Sequence, residues 1–120
     1  MSNTEKAVDF LRLASSGRVH EAYERYVGES FKHHNAFFAA GATALRTAME
    51  QAHAKEPNKG IDVERTIADG DYVWIHSRVR KEARHVAAVH IFRFEDGRVA
   101  ELWDVAAELP ASSPNTDGVF

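Results

Sequence analysis

Apolar residues recur at helical spacing in the first half of the chain and at every second position beyond Gly60. Ala7, Val8, Phe10, Leu11 and Ala14 form one helical stripe. Ser2 with Glu5 reads as a capping box at its start, and Gly17 as its stop. Val19, Ala22, Tyr23 and Tyr26 fall at i, i+3, i+4 and i+7 and predict a second helix to about Val27. Leu45, Ala48, Met49 and Ala52 predict a third, which stops before Pro57. Phe31-Lys32-His33-His34-Asn35 reads as a short extended or irregular piece.

Past Gly60 the period becomes two. Ile61, Val63 and Ile67 alternate through a first strand, and Asp69-Gly70-Asp71 turns the chain. Tyr72–Arg80 is a second strand and Lys81–Arg84 a turn. His85–Phe94 and Val99–Ala107 follow, joined by Glu95-Asp96-Gly97. Three N-terminal helices before a four-stranded, mainly antiparallel sheet imply an α+β fold, with the helices on one sheet face. Residues 1–109 read as one domain. Residues 110–120, with Pro, Ser, Asn, Asp and Gly, read as a loose C-terminal tail unless they dock on a partner chain.

The last hairpin carries the candidate chemistry. Asp104 sits near the end of an otherwise apolar strand, and burying an unpaired charge is costly unless it serves a purpose. Its face depends on the turn. A two-residue Asp96-Gly97 loop would set Phe94 opposite Val99 and put His90 and Asp104 on opposite faces. A three-residue loop with Gly97 left-handed and a bulge would set Phe94 opposite Arg98. His90, Phe92, Phe94, Leu102 and Asp104 would then share one face. The second register is the preferred one.

Composition narrows the functional classes. A chain of 120 residues that is 44% hydrophobic can bury a real core. A net charge of -3 leaves no electrostatic footprint for nucleic acid. The absence of cysteine excludes disulfides, thiolate nucleophiles and thiolate metal sites. No apolar run reaches membrane-spanning length, and Met1-Ser2-Asn3-Thr4-Glu5 has no signal-peptide character. A soluble cytoplasmic protein is expected.

Three segments carry a family resemblance: Phe31–Asn35, Gly70–Ser77 and Ile91–Val105. With the order of elements, they resemble the SnoaL-like group of polyketide-cyclase relatives in the nuclear-transport-factor-2-like superfamily. The resemblance implies a strongly curved sheet closed by the helices into a cone-shaped α+β barrel with a central pocket. It implies ring closure by intramolecular aldol condensation, with an aspartate near the end of the last strand as acid and base. It further implies no metal and no cofactor. Asp104 stands at that position, Phe31, His34 and Asn35 match the aromatic–Xaa–Xaa–His–Asn piece, and His76 matches the strand histidine. Relatives often have Pro at Ala36, Asp at His90 and His at Leu102, so the usual His–Asp complement is rearranged here.

The expected catalytic residues are therefore Asp104, His90 and His76. Phe92, Phe94 and Leu102 would desolvate the carboxylate and strengthen it as a base. His90 would orient Asp104 or polarise an enolate oxygen. His34 and Asn35 would supply hydrogen bonds from the rim, with Trp74 and Tyr23 as further ligand-binding candidates. Each has a plainer reading: Asp104 could pair with Arg78 or Arg80, His90 could be a core histidine, and Tyr23 could be core. His76 shares its face with Trp74, Arg78 and Arg80, which could be solvated. His33 and His34 are adjacent and poorly placed to converge on one ion, so no metal site is expected.

Two function classes remain open. One is a cofactor-independent cyclase, isomerase or dehydratase acting on a small hydrophobic carbonyl compound. The other is a non-catalytic ligand-binding or dimerisation module on the same scaffold. A homodimer through the outer sheet face, using Val89, Ile91, Val99, Trp103 and Val105, is expected because the helices can cover only the other face.

Overall fold

The computed structural model describes residues 1–120. Ser2 caps the first helix as its sequence predicts: Glu5 N donates to Ser2 Oγ at 3.0 Å, and Ser2 N donates to Glu5 Oε1 at 2.9 Å. This helix, α1 (Asn3–Ser15), and α2 (Val19–Tyr26) bury their apolar stripes in a shared core. Phe10 is its hub, with ring centroids 5.4 Å from Tyr23 and 5.6 Å from Phe92.

The chain leaves α2 directly into a strand, β1 (Val27–His33), and then forms α3 (Ala42–Lys55). Four strands follow: β2 (Asn58–Asp69), β3 (Tyr72–Lys81), β4 (His85–Glu95) and β5 (Arg98–Glu108). All five form one curled sheet in the order β1-β5-β4-β3-β2. The expected count of four strands is corrected here. The Phe31 segment is β1, which pairs parallel with β5, His33 opposite Leu102. Its Gly28-Glu29-Ser30 stretch breaks local alternation, and its partner lies some seventy residues away, so its pairing left no local periodic signal.

Two bulges decide which side chains face inward. In β2 an extra residue falls between Val63 and Arg65. Ile61 and Val63 face the helices, but Ile67 is turned to the outer face and is 65% exposed. The second bulge lies beyond the β4–β5 turn. That turn is the two-residue loop, with Asp96 at φ 52 and Gly97 at φ 78, and Phe94 faces Val99. The preferred three-residue loop is thus corrected. The ladder then shifts by one residue, so that Arg93 pairs with Glu101 and Ala100 is supernumerary. From there His90 faces Asp104, both on the inner face.

α3 buries only Leu45 completely. Its stripe is otherwise built from Ala48, Met49 and Ala52, too small to fill the space above β4 and β5. No helix is long and apolar enough to cross a membrane.

Candidate functional site

Between α3 and the β4–β5 strands lies a cavity of about 160 Å³. Asp104, His90, Asn35 and Leu102 form its sheet side, and Leu45, Ala48, Met49 and Ala52 its helix side. Phe10 and Phe38 complete the wall. A second cavity of about 170 Å³ adjoins it, sharing Met49, Ala52 and His90.

Asn35 is locked in place before it meets Asp104. His33 Nε2 contacts Ala39 O at 2.8 Å, and Asn35 N donates to His33 Nδ1 at 3.1 Å. The ring is therefore protonated on Nε2 and pins the loop after β1. Asn35 Oδ1 accepts from Phe37 N at 2.9 Å in an Asx turn. Its amide group is left to face the site and donates from Nδ2 to Asp104 Oδ2 at 2.9 Å.

The other half of the site is unpaired. Asp104 Oδ1 and His90 Nδ1 are shut off from water and have no hydrogen-bond partner. Buried polar atoms are normally satisfied, so two orphans on directly opposed residues require an explanation. Burial pushes the His90 imidazole below its ordinary range, against the opposing pull of the Asp104 carboxylate. His90 is thus held neutral near pH 7. Tyr23 lies close enough to feel the Asp104 charge; burial first, and that charge second, push its phenol upward. Its hydroxyl donates to Met49 Sδ at 3.2 Å.

The remaining sequence candidates separate by face. Asp104, His90, Asn35 and Leu102 meet in the cavity, with Tyr23 behind them. His76 and Trp74 do not join them. Ile75 is the residue opposite His90, so its neighbours on β3 point outward. There His76 contacts Arg65 and lies 5.2 Å from the Phe120 ring. His34 also faces outward, bonded to Glu101 Oε2 at 2.5 Å and stacked on Trp103 at 4.9 Å. Phe92 and Phe94 share the inner face but pack into the core rather than lining the cavity. Val99, expected outside, is buried in that core, because the two-residue turn puts it opposite Phe94.

Nor does an arginine claim Asp104. Arg80 pairs with Asp62 at 2.9 Å, and Arg78 contacts Glu64 and His85. Sequence reasoning missed Met49, Leu45, Ala48 and Ala52 as wall residues, although their helical stripe was visible. The overlooked signal was side-chain size, since two alanines in a four-residue stripe leave a void.

Residues 7–102 match the family model of the SnoaL-like domain. The chain belongs to the SnoaL-like domain family. Solved structures agree on its nuclear-transport-factor-2-like fold. A nuclear-transport-factor-2-like protein of unknown function from Burkholderia xenovorans is 19% identical, with a TM-score of 0.69 over 92% of this chain and 88% of that one. A Sinorhizobium meliloti protein, named for a proposed polyketide-cyclase activity, is 19% identical, with a TM-score of 0.67 over 82% and 92%. A Kribbella flavida protein, named for a proposed ketosteroid-isomerase activity, is 18% identical, with a TM-score of 0.64 over 96% and 87%. At these identities the likeness of this SnoaL-like chain to them is one of fold. No curated protein matches it.

Proposed function

We propose that this SnoaL-like protein abstracts a proton next to the carbonyl of a small, mostly apolar compound, in aldol-type condensation or cyclisation. The observation that carries the reading is the pair of unpartnered atoms, Asp104 Oδ1 and His90 Nδ1, on opposed residues of the cavity wall. Asp104, tethered through Oδ2 by Asn35, keeps lone pairs on Oδ1 free to accept a proton. As the C–H bond breaks, its electrons move onto the carbonyl oxygen. A neutral His90 N–H then donates a hydrogen bond to that oxyanion. The enolate carbon attacks a second carbonyl carbon of the substrate, and the new alkoxide takes the proton back from Asp104. The carboxylate is regenerated, so the cycle needs no outside oxidant or reductant.

Names borne by two structural relatives point toward cyclase and isomerase chemistry of this kind. Proton return to a different carbon would give an isomerase with the same residues in the same roles. Cavity size favours a compact reacting end: about 160 Å³ is close to the roughly 150 Å³ that holds a benzene molecule.

Hydrogen–deuterium exchange of cyclopentanone in D2O, followed by proton NMR, tests this step without the natural substrate. The protein should accelerate loss of the α-proton signal, and Asp104→Asn should return it to the buffer rate. Wild-type protein no faster than buffer would overturn the proposal.

A further inference from the structure

The two cavities beside His90 share three residues: His90 itself, Ala52 and Met49. His90 is held in the middle of β4, and Ala52 has no side chain to swing aside. Met49 is different. Its side chain is long, unbranched and adaptable, and it is only half-buried. Its one polar contact is the Tyr23 hydroxyl, which spends its hydrogen bond on a thioether, a weak acceptor. A contact that weak sets little resistance to a rotamer change.

We infer that Met49 is a movable partition, and that the two cavities are one substrate site when it swings aside. The site then takes an elongated, uncharged carbonyl compound, its carbonyl at Asp104 and His90 and its tail beyond Met49. This inference rests on the reading of the Asp104–His90 cavity as the substrate site. Size supports the joining. Either cavity alone falls well below the roughly 300 Å³ at which pockets for drug-sized ligands begin, and together they reach it. Chemistry supports the uncharged tail. Leu11, Ala14, Ile61 and Val79 wall the second cavity. Lys81, the cation at its edge, is held by Asn58 Oδ1 at 2.8 Å and Glu56 O at 3.2 Å and is paired with the Glu56 carboxylate at 3.7 Å, which would repel an anionic tail. Ser15, His53 and Asn58 supply the rest of its polar edge.

Binding of two ketones to methyl-labelled protein, read by NMR, tests the inference apart from catalysis. Cyclopentanone, the short probe, should shift the Leu45, Leu102 and Met49 methyls and leave Ile61 and Val79 unmoved. The long probe, 4-phenylbutan-2-one, should shift those together with Ile61 and Val79. Ile61→Phe fills the second cavity and should weaken the long ketone by about tenfold while leaving the short one within about twofold. Val79→Leu, a milder filling, should act in the same direction if Ile61→Phe folds poorly. Asp104→Asn should still bind both ketones, and wild-type protein that binds them without accelerating proton exchange would sink the catalytic reading and leave this one standing. A long ketone that moves only first-cavity methyls, or none, would overturn the partition. So would one whose affinity is indifferent to both filling variants.

Discussion

His90 stands directly opposite Asp104 across the β4–β5 ladder, yet neither His90 Nδ1 nor Asp104 Oδ1 has a hydrogen-bond partner. Two buried polar groups left unpaired this way cost stability, on the order of 1–3 kcal/mol each in comparable settings. Such a cost persists in a folded chain when the groups serve a purpose. Here the surroundings supply no substitute: Arg78 and Arg80 lie on the outer face, spent on Glu64 and Asp62, and Arg46 on α3 pairs with Glu50.

Asp104→Asn should therefore separate chemistry from folding. The amide keeps the shape and can still accept from Asn35 Nδ2, but it cannot take up the substrate proton. Turnover should fall by roughly 10²–10⁴. The melting temperature should stay the same or rise, because an unpaired carboxylate oxygen leaves the interior. A large drop in melting temperature would instead make Asp104 a structural residue.

Stability should fall as the solution is acidified below about pH 6.5, the ordinary imidazole value, in part through His90. Burial holds its folded-state value below that of the unfolded chain. In the window between the two, the unfolded chain binds more protons, so unfolding gains as pH drops. His90→Gln removes this contribution and should show a shallower loss of melting temperature between pH 7 and pH 5. Parallel curves for the two proteins would contradict the assignment of a neutral, buried His90.

The turn chemistry shows how legibility ran out. Asp96-Gly97 adopts the two-residue loop, and alone it would have sent Asp104 to the outer face. The supernumerary Ala100 reverses that, so the inward pair was reached by a different route from the one the sequence suggested. A bulge of this sort has little local signature; its one trace is the successive buried pair Val99-Ala100, where alternation should have put one outside. The same limit hid the β2 bulge that exposes Ile67. Helices, by contrast, were legible because their stripes and the Ser2–Glu5 box are local. His76 and Trp74 were misplaced for want of a register, and His34 because the pairing of β1 just before it was not recognised.

The outer face predicts association. Ile67, Trp74, Ile91 and Trp103 are successive register partners across four strands, a continuous apolar row facing away from the helices. Val105 on the same face is 72% exposed. From the tail, Phe120 lies at the His76–Arg78 corner, 4.4 Å from the Arg78 guanidinium. A second copy, packing the same row against itself about a twofold axis, would cover it. Light scattering at micromolar concentration should give twice the monomer mass. Val105→Arg should return it to the monomer with the circular dichroism spectrum unchanged, and a monomeric wild type would refute this association.

Asn35→Asp turns the tether into a pH-dependent repulsion. Asn35 Nδ2 now sits 2.9 Å from Asp104 Oδ2, while its Oδ1 is held by Phe37 N. An aspartate keeps the Oδ1 contact and puts a second carboxylate oxygen against the first. Two carboxylates at this distance must either repel or hold a proton that the unfolded chain has released at pH 7, and either costs the folded state stability, about 1–3 kcal/mol. One of the two then has a folded-state value raised above its unfolded one. The folded protein binds the extra proton, and stability returns as pH falls and is lost as pH rises through that value. Once protonated, the acid can donate where the amide did. Asn35→Ala removes the tether without adding charge, so it should lose stability at pH 7 and show no such recovery. The two curves, measured by thermal melts from pH 7 to pH 4, should therefore converge on wild type only for Asn35→Asp. Wild-type stability of Asn35→Asp at pH 7, or equal recovery by Asn35→Ala, would show that the Asn35–Asp104 hydrogen bond does not hold the site together.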